Sequence, residues 1–554
     1  MANIYDKVPV KVQKKSGFDK SFQNLFTGKV GTVIPILTDE LIPNTTVHLR
    51  MAITTQLPPL ASDTYMRVKQ KYAAFFVPTR ILVPRYEEWL AGQYDIANGT
   101  KVTLPIFSFN PETDKAAYGN GSLLDYLGYK CSETKFTELQ PIRLSALPML
   151  AYHKIWNDWF RNSLVQRDIF NRAVASPLVY NPSTSSILVP VNTASNRYCF
   201  TYSSTSDEST AGGSAFADGV DISSLRQANF GSDLFTSCTP KPQNGQAQAV
   251  SFQTINSNGK FTISALRAAN SMQQFLERNN LAGNRLVDYV KAQYGANLND
   301  AIAQRPVLLG SGSFDVYSKG IYQTNAEMSQ PETAVEVNTS NPFKTVAAKY
   351  GTAYVDGNDL VIEGFTAQEP GYLMVVTWLS PKVTYSTGVD PVLTRYTSVD
   401  SQSDMANPIL QNVGNEPIYA KQLSMDEAIT NDNSVFGYNE RYANWKDKMD
   451  EVHGLLRDKA SLASFALQRT FGSFGITPGA SPRIGSEFLQ IPTDYLDQVA
   501  AVSTDISQYG YWCDTYFDYK VSMPLARYSV PSLQDPAYEH GEDVVLDRSG
   551  KQLS

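Results

Sequence analysis

The sequence predicts a mainly β protein, a single β-sandwich that carries long helical and loop insertions. Strand-like segments concentrate near the two ends of the 554-residue chain, whereas helical spacing and polar loops occupy the middle. No repeat of fixed period is visible, which disfavours solenoids and propellers. We therefore expect one sheet domain whose chain leaves the sheets and returns, rather than a string of independent domains.

The first elements are an arm and three strands. Residues 1–28 are polar, mix lysines with aromatic side chains and show no sustained period, which predicts an N-terminal arm that orders on contact. The domain then covers 29–554 and begins with the β-branched run 30–37. Apolar and polar residues alternate over 47–53 and again over 66–76, as in strands with one buried face.

Two helical insertions and one polar insertion follow. Apolar residues recur at helical spacing near 146–165 and again near 262–295, where Gly283 divides the pattern into two linked helices. The stretch 183–258 is rich in Ser, Thr, Gly and Asn and has few apolar runs. It predicts a polar surface-loop insertion.

Strands return in the second half of the chain. Tyr372 to Leu379 is an apolar run ended by Pro381, which indicates a strand buried on both faces. Tyr511 to Lys520 alternates between apolar and polar side chains and predicts the last long strand. The first and last strands of the domain are thus far apart in sequence.

Charge and composition exclude several classes of protein. The net charge is −7, with 47 Lys and Arg against 54 Asp and Glu, which argues against a surface that binds nucleic acid everywhere. No apolar run approaches the roughly 20 residues of a membrane span, and no signal peptide is visible. We expect a protein made in a cytoplasm, without membrane insertion, whose four scattered cysteines are free thiols.

The sequence offers little support for catalysis. Its four histidines stand at no metal-binding spacing, and the nucleophile-elbow, P-loop and dinucleotide-binding motifs are absent. We therefore expect no enzyme, no metal site and no cofactor. A pair of carboxylates of the glycosidase type stays open, because the members of such a pair come together only in the folded chain.

Eight cations are candidate nucleic-acid contacts. They would combine phosphate contacts with stacking on nearby aromatic side chains if those in the strands share one sheet face. The alternative is a solvated face or salt bridges between subunits. The candidates are Lys7, Lys11, Lys14 and Lys15 in the arm and Arg50, Arg67, Lys69 and Lys71 in the strands.

Six segments, in order, carry a family resemblance. They are KQKYAAFFVPTRILVPRYEEWLAG, ALPMLAYHKIWNDWFRN, LFTSCTPKPQNGQ, FTISALRAANSMQQFLERNN, EPGYLMVVTWLSPKVTYSTGVDP and FGYNERYANWKDKMDEVHGLLR. Together they resemble the major capsid protein of the Microviridae, with the gokushovirus-like and gut branches most similar. The resemblance extends from about residue 20 to about residue 520.

The resemblance implies a fold, an assembly and a set of partners. It implies a single eight-stranded jelly roll, sixty copies of which close a T=1 icosahedral shell around circular single-stranded DNA. It also implies an internal scaffolding protein, a minor DNA-pilot protein, a small basic DNA-binding protein and a host cell-surface receptor. The protein would assemble in the bacterial cytoplasm and reside in the virion. The 183–258 insertion falls where this family carries a loop that can build threefold protrusions.

Nine residues in the family-like segments are candidate packing or interface residues, since Trp and Arg are favoured anchors of buried interfaces. The alternative, that the tryptophans belong to the core of one subunit, stays open. The nine are Trp156, Asn157, Trp159, Phe160, Arg161, Phe436, Tyr438, Arg441 and Tyr442. A carbohydrate-binding β-sandwich and, less favoured, a glycoside hydrolase are the other functions that this fold class allows.

Overall fold

The computed structural model describes much of the chain, including both ends of the sandwich. The described residues are 15–58, 60, 65–83, 86, 90, 94–95, 100–102, 104, 106–109, 119–129, 142–170, 179–180, 191–192, 197–198, 201–202, 213–214, 224–244, 263–283, 285–316, 321–322, 348–349, 353–354, 360–394, 406–425, 434–469, 483–500 and 510–527.

Ten strands build the two main sheets, and all of their pairings are antiparallel. They are β1 (Ser16–Asp19), β2 (Phe22–Gly28), β3 (Ile34–Leu41), β4 (Thr46–Gln56), β5 (Val68–Pro78), β6 (Val307–Val316), β7 (Ala353–Tyr354), β8 (Leu360–Thr366), β9 (Gly371–Pro381) and β10 (Tyr511–Met523). Sheet one runs from β1 and β2 through β10 and β4 to β7 and β8, and sheet two has the order β6–β5–β9–β3.

The strand pairings are nested along the chain. The first strand position, formed by β1 and β2, pairs with the last strand, β10. Inside that pair, β3 pairs with β9, β4 with β8, and β5 with β6. The two longest connections, from Thr79 to Pro306 and from Lys382 to Gly510, carry most of the remaining structure.

The alternation of side chains in the strands follows burial. In β4, Val47, Leu49, Met51 and Ile53 are buried, and His48, Arg50 and Ala52 are exposed. β10 alternates in the same way, whereas β9 is buried along almost its whole length. These predictions from the sequence are confirmed, and so is the mainly β fold. The sheets face each other across the core, where the rings of Phe76 and Phe365 lie 5.2 Å apart.

Three longer helices belong to the insertions: α1 (Leu147–Ile155), α2 (Ile263–Ala282) and α3 (Leu286–Tyr294). A π-helical turn, Trp156–Phe160, continues α1 until the backbone becomes extended at Arg161. α3 ends at Gly295, whose φ of 67° allows the left-handed cap. The helix predicted near 146–165 therefore ends earlier than expected, and the pair predicted near 262–295 is present.

Shorter elements complete the described chain. Short antiparallel pairings join Tyr94–Asp95 and Val179–Tyr180 to Thr100–Val102, Ile106–Phe109 to Ile142–Ser145, Val191–Asn192 to Arg197–Tyr198, Thr201–Tyr202 to Gly213–Ser214, Ile321–Tyr322 to Ala348–Lys349, and Glu416–Tyr419 to Val435–Asn439. Short helices and 3-10 turns are Thr79–Ile81, Leu123–Tyr126, Pro391–Thr394, Pro408–Val413, Ala420–Leu423, Ala443–Lys446, Gly454–Leu456, Ala463–Phe465, Ser486–Leu489 and Tyr495–Gln498.

Two predicted boundaries differ from the structure. The sheet begins at Ser16, inside the segment 1–28 that was predicted to be an arm, because β1 and β2 pair with β10 in one continuous register that is interrupted only at Lys20 and Ser21. Residues 1–14 lie outside the described residues. Part of the predicted surface loop 183–258 is also core, since Phe230 and Phe235 in the described segment 224–244 are buried.

Candidate nucleic-acid interface

A short row of cations marks the start of β5 on the outer face of sheet two. Arg67 and Lys69 are exposed and Lys71 is half-buried. Val68, Gln70 and Tyr72, which alternate with them along the strand, point into the core. We call Arg67, Lys69 and Lys71 the cationic strip. Burial, and then the charge of Lys69, lower the pKa of Lys71 below its usual value.

Hydroxyl groups and an indole flank the cationic strip. Lys71 lies opposite Ser313 of β6 and Trp378 of β9, and Lys69 lies opposite Ser380. Asp315 reduces the net positive charge of the cationic strip, because its Oδ1 is 3.8 Å from Lys69 Nζ. Cations beside hydroxyls and an aromatic edge are the groups that contact the phosphates and bases of single-stranded nucleic acid.

Arg50 lies on the opposite side of the sandwich. It is on the outer face of sheet one, where its Nη2 is 3.3 Å from Glu363 Oε1. The condition that Arg50 shares a sheet face with Arg67, Lys69 and Lys71 is therefore not met. The reason is topological: β4 and β5 are consecutive in sequence but belong to different sheets, so their polar sides face opposite directions.

Of the four candidate lysines in the arm, Lys15 lies within the described residues and the other three do not. Lys15 donates a hydrogen bond from Nζ to Thr46 Oγ1 at 3.1 Å, which places it at one end of the outer face of sheet one. Lys7, Lys11 and Lys14 lie outside the described residues. The structure thus brings Lys15 to the same face as Arg50 and separates both from the cationic strip.

The tryptophans at the end of α1 lie within the subunit. Trp156 is buried and donates from Nε1 to Gln227 O at 2.8 Å. Trp159 donates from Nε1 to Pro306 O at 2.9 Å, and its ring lies 5.5 Å from that of Phe75 on the outer face of sheet two. The guanidinium of Arg305 is 4.3 Å from the Trp159 ring centroid. This packing explains why β5 and β9 are buried on both faces.

The neighbouring candidates fix the end of the π-helical turn. Phe160 packs edge-on against Trp378 with 4.7 Å between ring centroids. Arg161 is buried and donates from Nη1 to Gln166 O at 2.9 Å. Arg285 donates from Nη2 to the carbonyl oxygens of Asn157 and Arg161 at 2.8 and 2.6 Å, so it caps acceptors that the helix end leaves unpaired.

The candidates in the later segment surround a second, smaller core. Phe436 is buried, with its ring 4.9 Å from that of Phe488. Tyr438 exchanges backbone hydrogen bonds with Thr239. Arg441 donates from Nε to Gly414 O at 3.4 Å, and Tyr442 is buried with a left-handed φ of 65°. These contacts are all made inside one subunit.

Arg469 is a buried ionisable residue in this second core, and it was not among the candidate residues named from the sequence. Arg469 is fully buried, and its guanidinium lies 3.9 Å from the Phe488 ring centroid and 4.5 Å from that of Phe230. Tyr385 interacts with Arg469 and donates from its hydroxyl to Asp233 Oδ2 at 2.7 Å. Burial is the main cause that raises the pKa of Tyr385 and lowers that of Arg469. These residues come from three distant segments, so no local spacing could reveal the cluster.

Three further features of the described residues bear on function: metal sites, membrane-spanning helices and cysteines. Among the described residues no group of three or more His, Cys, Asp or Glu side chains is placed to hold a metal ion. Within those same segments no helix combines the length and apolarity needed to span a bilayer. Cys238 and Cys513 are free and buried, as expected for two of the four cysteines.

Comparison with known proteins gives one consistent result. A family model described as capsid protein (F protein) matches residues 6–261 and 252–533. The chain is 24% identical to capsid protein VP1 of Chlamydia phage 1, over 96% of this chain and 98% of that protein. It is 24% identical to capsid protein VP1 of Bdellovibrio phage phiMH2K, over 95% and 97%. For capsid protein VP1 of Spiroplasma virus 4 the identity is 23%, over 91% and 93%.

Proposed function

The chain belongs to the phage capsid protein (F protein) family, and from this premise we propose that it is the structural subunit of a T=1 icosahedral shell that encloses a single-stranded DNA genome. The observation that carries the proposal is the extent of the match, which covers nearly the full length of this chain and of Microviridae capsid proteins. Its relatives are capsid proteins and not enzymes, in agreement with the prediction from the sequence.

The topology supports the eight-stranded jelly roll that the resemblance implies. Nested pairing of first with last, second with seventh, third with sixth and fourth with fifth strand positions is what results when one long hairpin rolls into two sheets. In this proposal β1 with β2 forms one position and β7 with β8 another. The insertions after β5 and β9 then decorate the sandwich and supply much of the contact surface.

Closure of the shell is a problem of association energy. Sixty copies would meet through heterologous contacts about the five- and threefold axes and through isologous contacts about the twofold axes, and together these contacts close the shell. Many weak contacts acting together suffice, and individually strong ones would trap misassembled fragments. An internal scaffolding protein would guide the copies in the bacterial cytoplasm, and a host cell-surface receptor would bind the finished virion. The insertion 183–258, apart from its segment 224–244 that contributes to the core, would supply threefold protrusions.

This protein would neutralise only part of the negative charge of the genome, and other cations would neutralise the rest. A subunit with a net charge of −7 cannot neutralise packaged phosphates alone, so basic partners or small counterions must contribute. A small basic DNA-binding protein and a pilot protein fit this need. Within the chain, we assign DNA contacts to the arm lysines and to the cationic strip. Arg50, which is exposed and paired with Glu363 of the same subunit, fits the alternative of a solvated face better.

The other functions that the fold class allowed receive no support. A carbohydrate-binding β-sandwich or a glycoside hydrolase would be expected to resemble proteins of those classes, whereas the three relatives reported above are named as capsid proteins. Five of the nine candidate packing residues are buried in the subunit: Trp156, Asn157, Arg161, Phe436 and Tyr442. We therefore retain only the shell.

Particle formation tests the proposal. The chain would be expressed with its scaffolding partner, separated by size-exclusion chromatography and imaged by negative stain. Uniform closed particles are expected, and particles assembled together with the genome and its basic partners should protect single-stranded DNA from nuclease. A chain that stays monomeric with its partner present, or that forms only irregular aggregates, would contradict the proposal. Image averaging would then count the copies in each particle.

A further inference from the structure

An exposed apolar knob lies where the loop after β9 meets the start of β5. Leu455 and Tyr65 are 63% and 79% exposed, and Leu462 is also exposed. Three backbone hydrogen bonds place these residues side by side: Leu462 N donates to Leu455 O at 3.0 Å, Phe465 N to Leu462 O at 3.1 Å, and Tyr65 N to Phe465 O at 2.8 Å. We call Tyr65, Leu455, Leu462 and Phe465 the leucine knob.

The leucine knob is held in shape by its own backbone. Gly454 and Lys459 adopt positive φ values of 67° and 63°, and successive short-range hydrogen bonds close the turns between them. Arg457 Nε donates to Ser386 O at 3.1 Å and ties the knob to the chain that leaves β9. A preformed apolar projection loses little conformational entropy when it is buried, which favours binding.

The rim of the leucine knob is cationic. Arg457 and Lys459 stand beside Asp458, and all three are exposed. Arg67 of the cationic strip, two residues beyond Tyr65, adds positive charge on one side. Two copies of the knob would therefore repel each other, so a contact between identical knobs is disfavoured.

The outer face of sheet one complements the leucine knob, because it combines exposed apolar side chains with carboxylates. Tyr516 in β10 is 53% exposed and Leu25 in β2 is 69% exposed, and Val361 in β8 is exposed across the sheet from them. The register places Leu25, opposite Asp514, diagonally beside Tyr516 on the neighbouring strand. Val361 lies three strands from Leu25, beyond Arg50, which lies between Asp518 and Val361. The sheet leaves these apolar side chains in solvent.

Carboxylates outnumber cations around these side chains. Between the row of Asp514 and the row of Lys520, the described residues of this face include four carboxylates and two cations, with Lys15 one row further at Thr46. The four carboxylates are those of Asp19, Glu363, Asp514 and Asp518, and the two cations are Arg50 and Lys520. We call this part of sheet one the acidic sheet face.

We propose that the leucine knob of one subunit docks on the acidic sheet face of a second copy of this chain. The occupant follows from charge complementarity and from membership in a family of shell proteins, so the inference rests on the proposed function. The knob and the face are different surfaces of one subunit, which makes the contact heterologous, as ring closure around a symmetry axis requires. Leu455, Leu462 and Tyr65 supply the apolar centre of the contact.

Disulfide trapping in assembled particles tests the contact. The double variant Leu455→Cys with Tyr516→Cys would be assembled and treated with a mild oxidant, which accepts two electrons and two protons as two thiols form one disulfide. A ladder of covalent oligomers on a non-reducing gel is expected from particles and not from dissociated subunits. The single variants report any contribution of the natural cysteines.

A matched pair controls for chance encounters. Leu393 is as exposed as Leu455 but lies in another 3-10 turn, so Leu455→Cys with Leu393→Cys is expected to give no ladder. Intact particles of the Leu455 and Tyr516 pair without a ladder, an equal ladder from the control pair, or cross-links to a different protein would each overturn the inference. Failure of the unmodified chain to form particles would instead count against the proposed function.

Charge reversal gives a second, independent readout. Lys459→Glu is expected to lower particle yield roughly tenfold, because it sets like charges against each other. Adding Asp514→Lys to the same chain should recover much of the yield, since both sides of each contact then change sign. Both sites are exposed, so the melting temperature of the free subunit should stay unchanged. Equal yields for Lys459→Glu and the unmodified chain would contradict the proposed contact.

Discussion

Gln70 of β5 and Cys513 of β10 meet across the interior of the sandwich, with 3.6 Å between Gln70 Nε2 and Cys513 Sγ. The same amide accepts a hydrogen bond from Thr55 Oγ1 in sheet one and donates to Thr377 Oγ1 in sheet two at 3.1 Å. All four residues are buried. A polar network inside an apolar core links the two sheets and fixes the register that directs Lys69 and Lys71 outward.

Replacement of the amide tests this network. Gln70→Leu should destabilise the subunit by about 1–3 kcal/mol in total, since Thr55 and Thr377 each lose one buried hydrogen-bond partner and keep one, Cys513 Sγ and Lys71 O respectively. Denaturant unfolding of the free subunit measures the loss. Gln23→Leu, at an exposed site, is the control and should change stability by less than about 0.5 kcal/mol. Equal effects of the two changes would show that the network adds nothing.

The buried thiols should be chemically inert in the native subunit. Burial is the largest cause that raises the pKa of Cys513, to about 12, and burial also raises that of Cys238. The thiolate is the reactive species, so neither residue should react with alkylating reagents at neutral pH. Mass spectrometry after labelling checks this residue by residue, and the denatured chain should be labelled at both positions. Rapid labelling of native Cys513 would contradict the burial.

Alkaline pH should unfold the subunit because several tyrosines are buried in the neutral form. Burial raises the pKa of Tyr126 from 10.0 to about 12, and it also raises those of Tyr152, Tyr495 and Tyr511. A raised folded-state pKa contributes stability that is complete below the unfolded value and is lost as pH rises through the folded value. The stability contributed by these groups should thus be constant up to about pH 10 and fall above it. Tyrosinate absorbance and circular dichroism should change together, and early ionisation in a folded subunit would contradict this.

The buried guanidinium of Arg469 should be essential to the second core. Arg469→Met removes the guanidinium that donates to Phe488 O and contacts Tyr385, and it should cost about 1–3 kcal/mol because these buried groups lose a hydrogen-bond partner. Arg50→Met is the matched control, because Arg50 is exposed and its pairing with Glu363 contributes at most about 1 kcal/mol. Thermal melting compares the two variants. A stability loss no larger than that of the control would assign Arg469 a minor role.

The sequence predicted local structure better than spatial grouping. Period-two alternation identified the buried faces of β4 and β10, because alternation reports burial directly. It could not assign β4 and β5 to different sheets, so whether Arg50 and Lys69 share a sheet face had to be left as a condition. The Asp233, Tyr385 and Arg469 cluster was invisible for the same reason, since tertiary contacts between distant segments leave no local pattern. The predicted end of the arm was wrong because a strand at the edge of a sheet buries few side chains. Its sequence therefore shows only a weak alternation of apolar and polar residues.

The final prediction concerns which cations hold the genome. Combined alanine substitution at Lys11, Lys14 and Lys15 should lower DNA retention and leave empty-shell formation largely intact. Alanine at Lys69 and Lys71 should do the same, because both face outward from sheet two beside hydroxyl groups. The physical reason is loss of phosphate neutralisation, which for single strands also reduces the slope of log affinity against log salt by about 0.7 per contact.

Arg50→Ala separates a specific loss from a general loss of positive charge. Arg50 is an exposed strand cation like Lys69, but it is paired with Glu363 among the carboxylates of the acidic sheet face. Its removal should therefore leave the DNA content of each particle unchanged, even if fewer particles form. Nuclease-protected DNA normalised to shell protein measures this. An equal fall in DNA for Arg50→Ala and the strip variant would mean that total charge, and not the cationic strip, retains the genome.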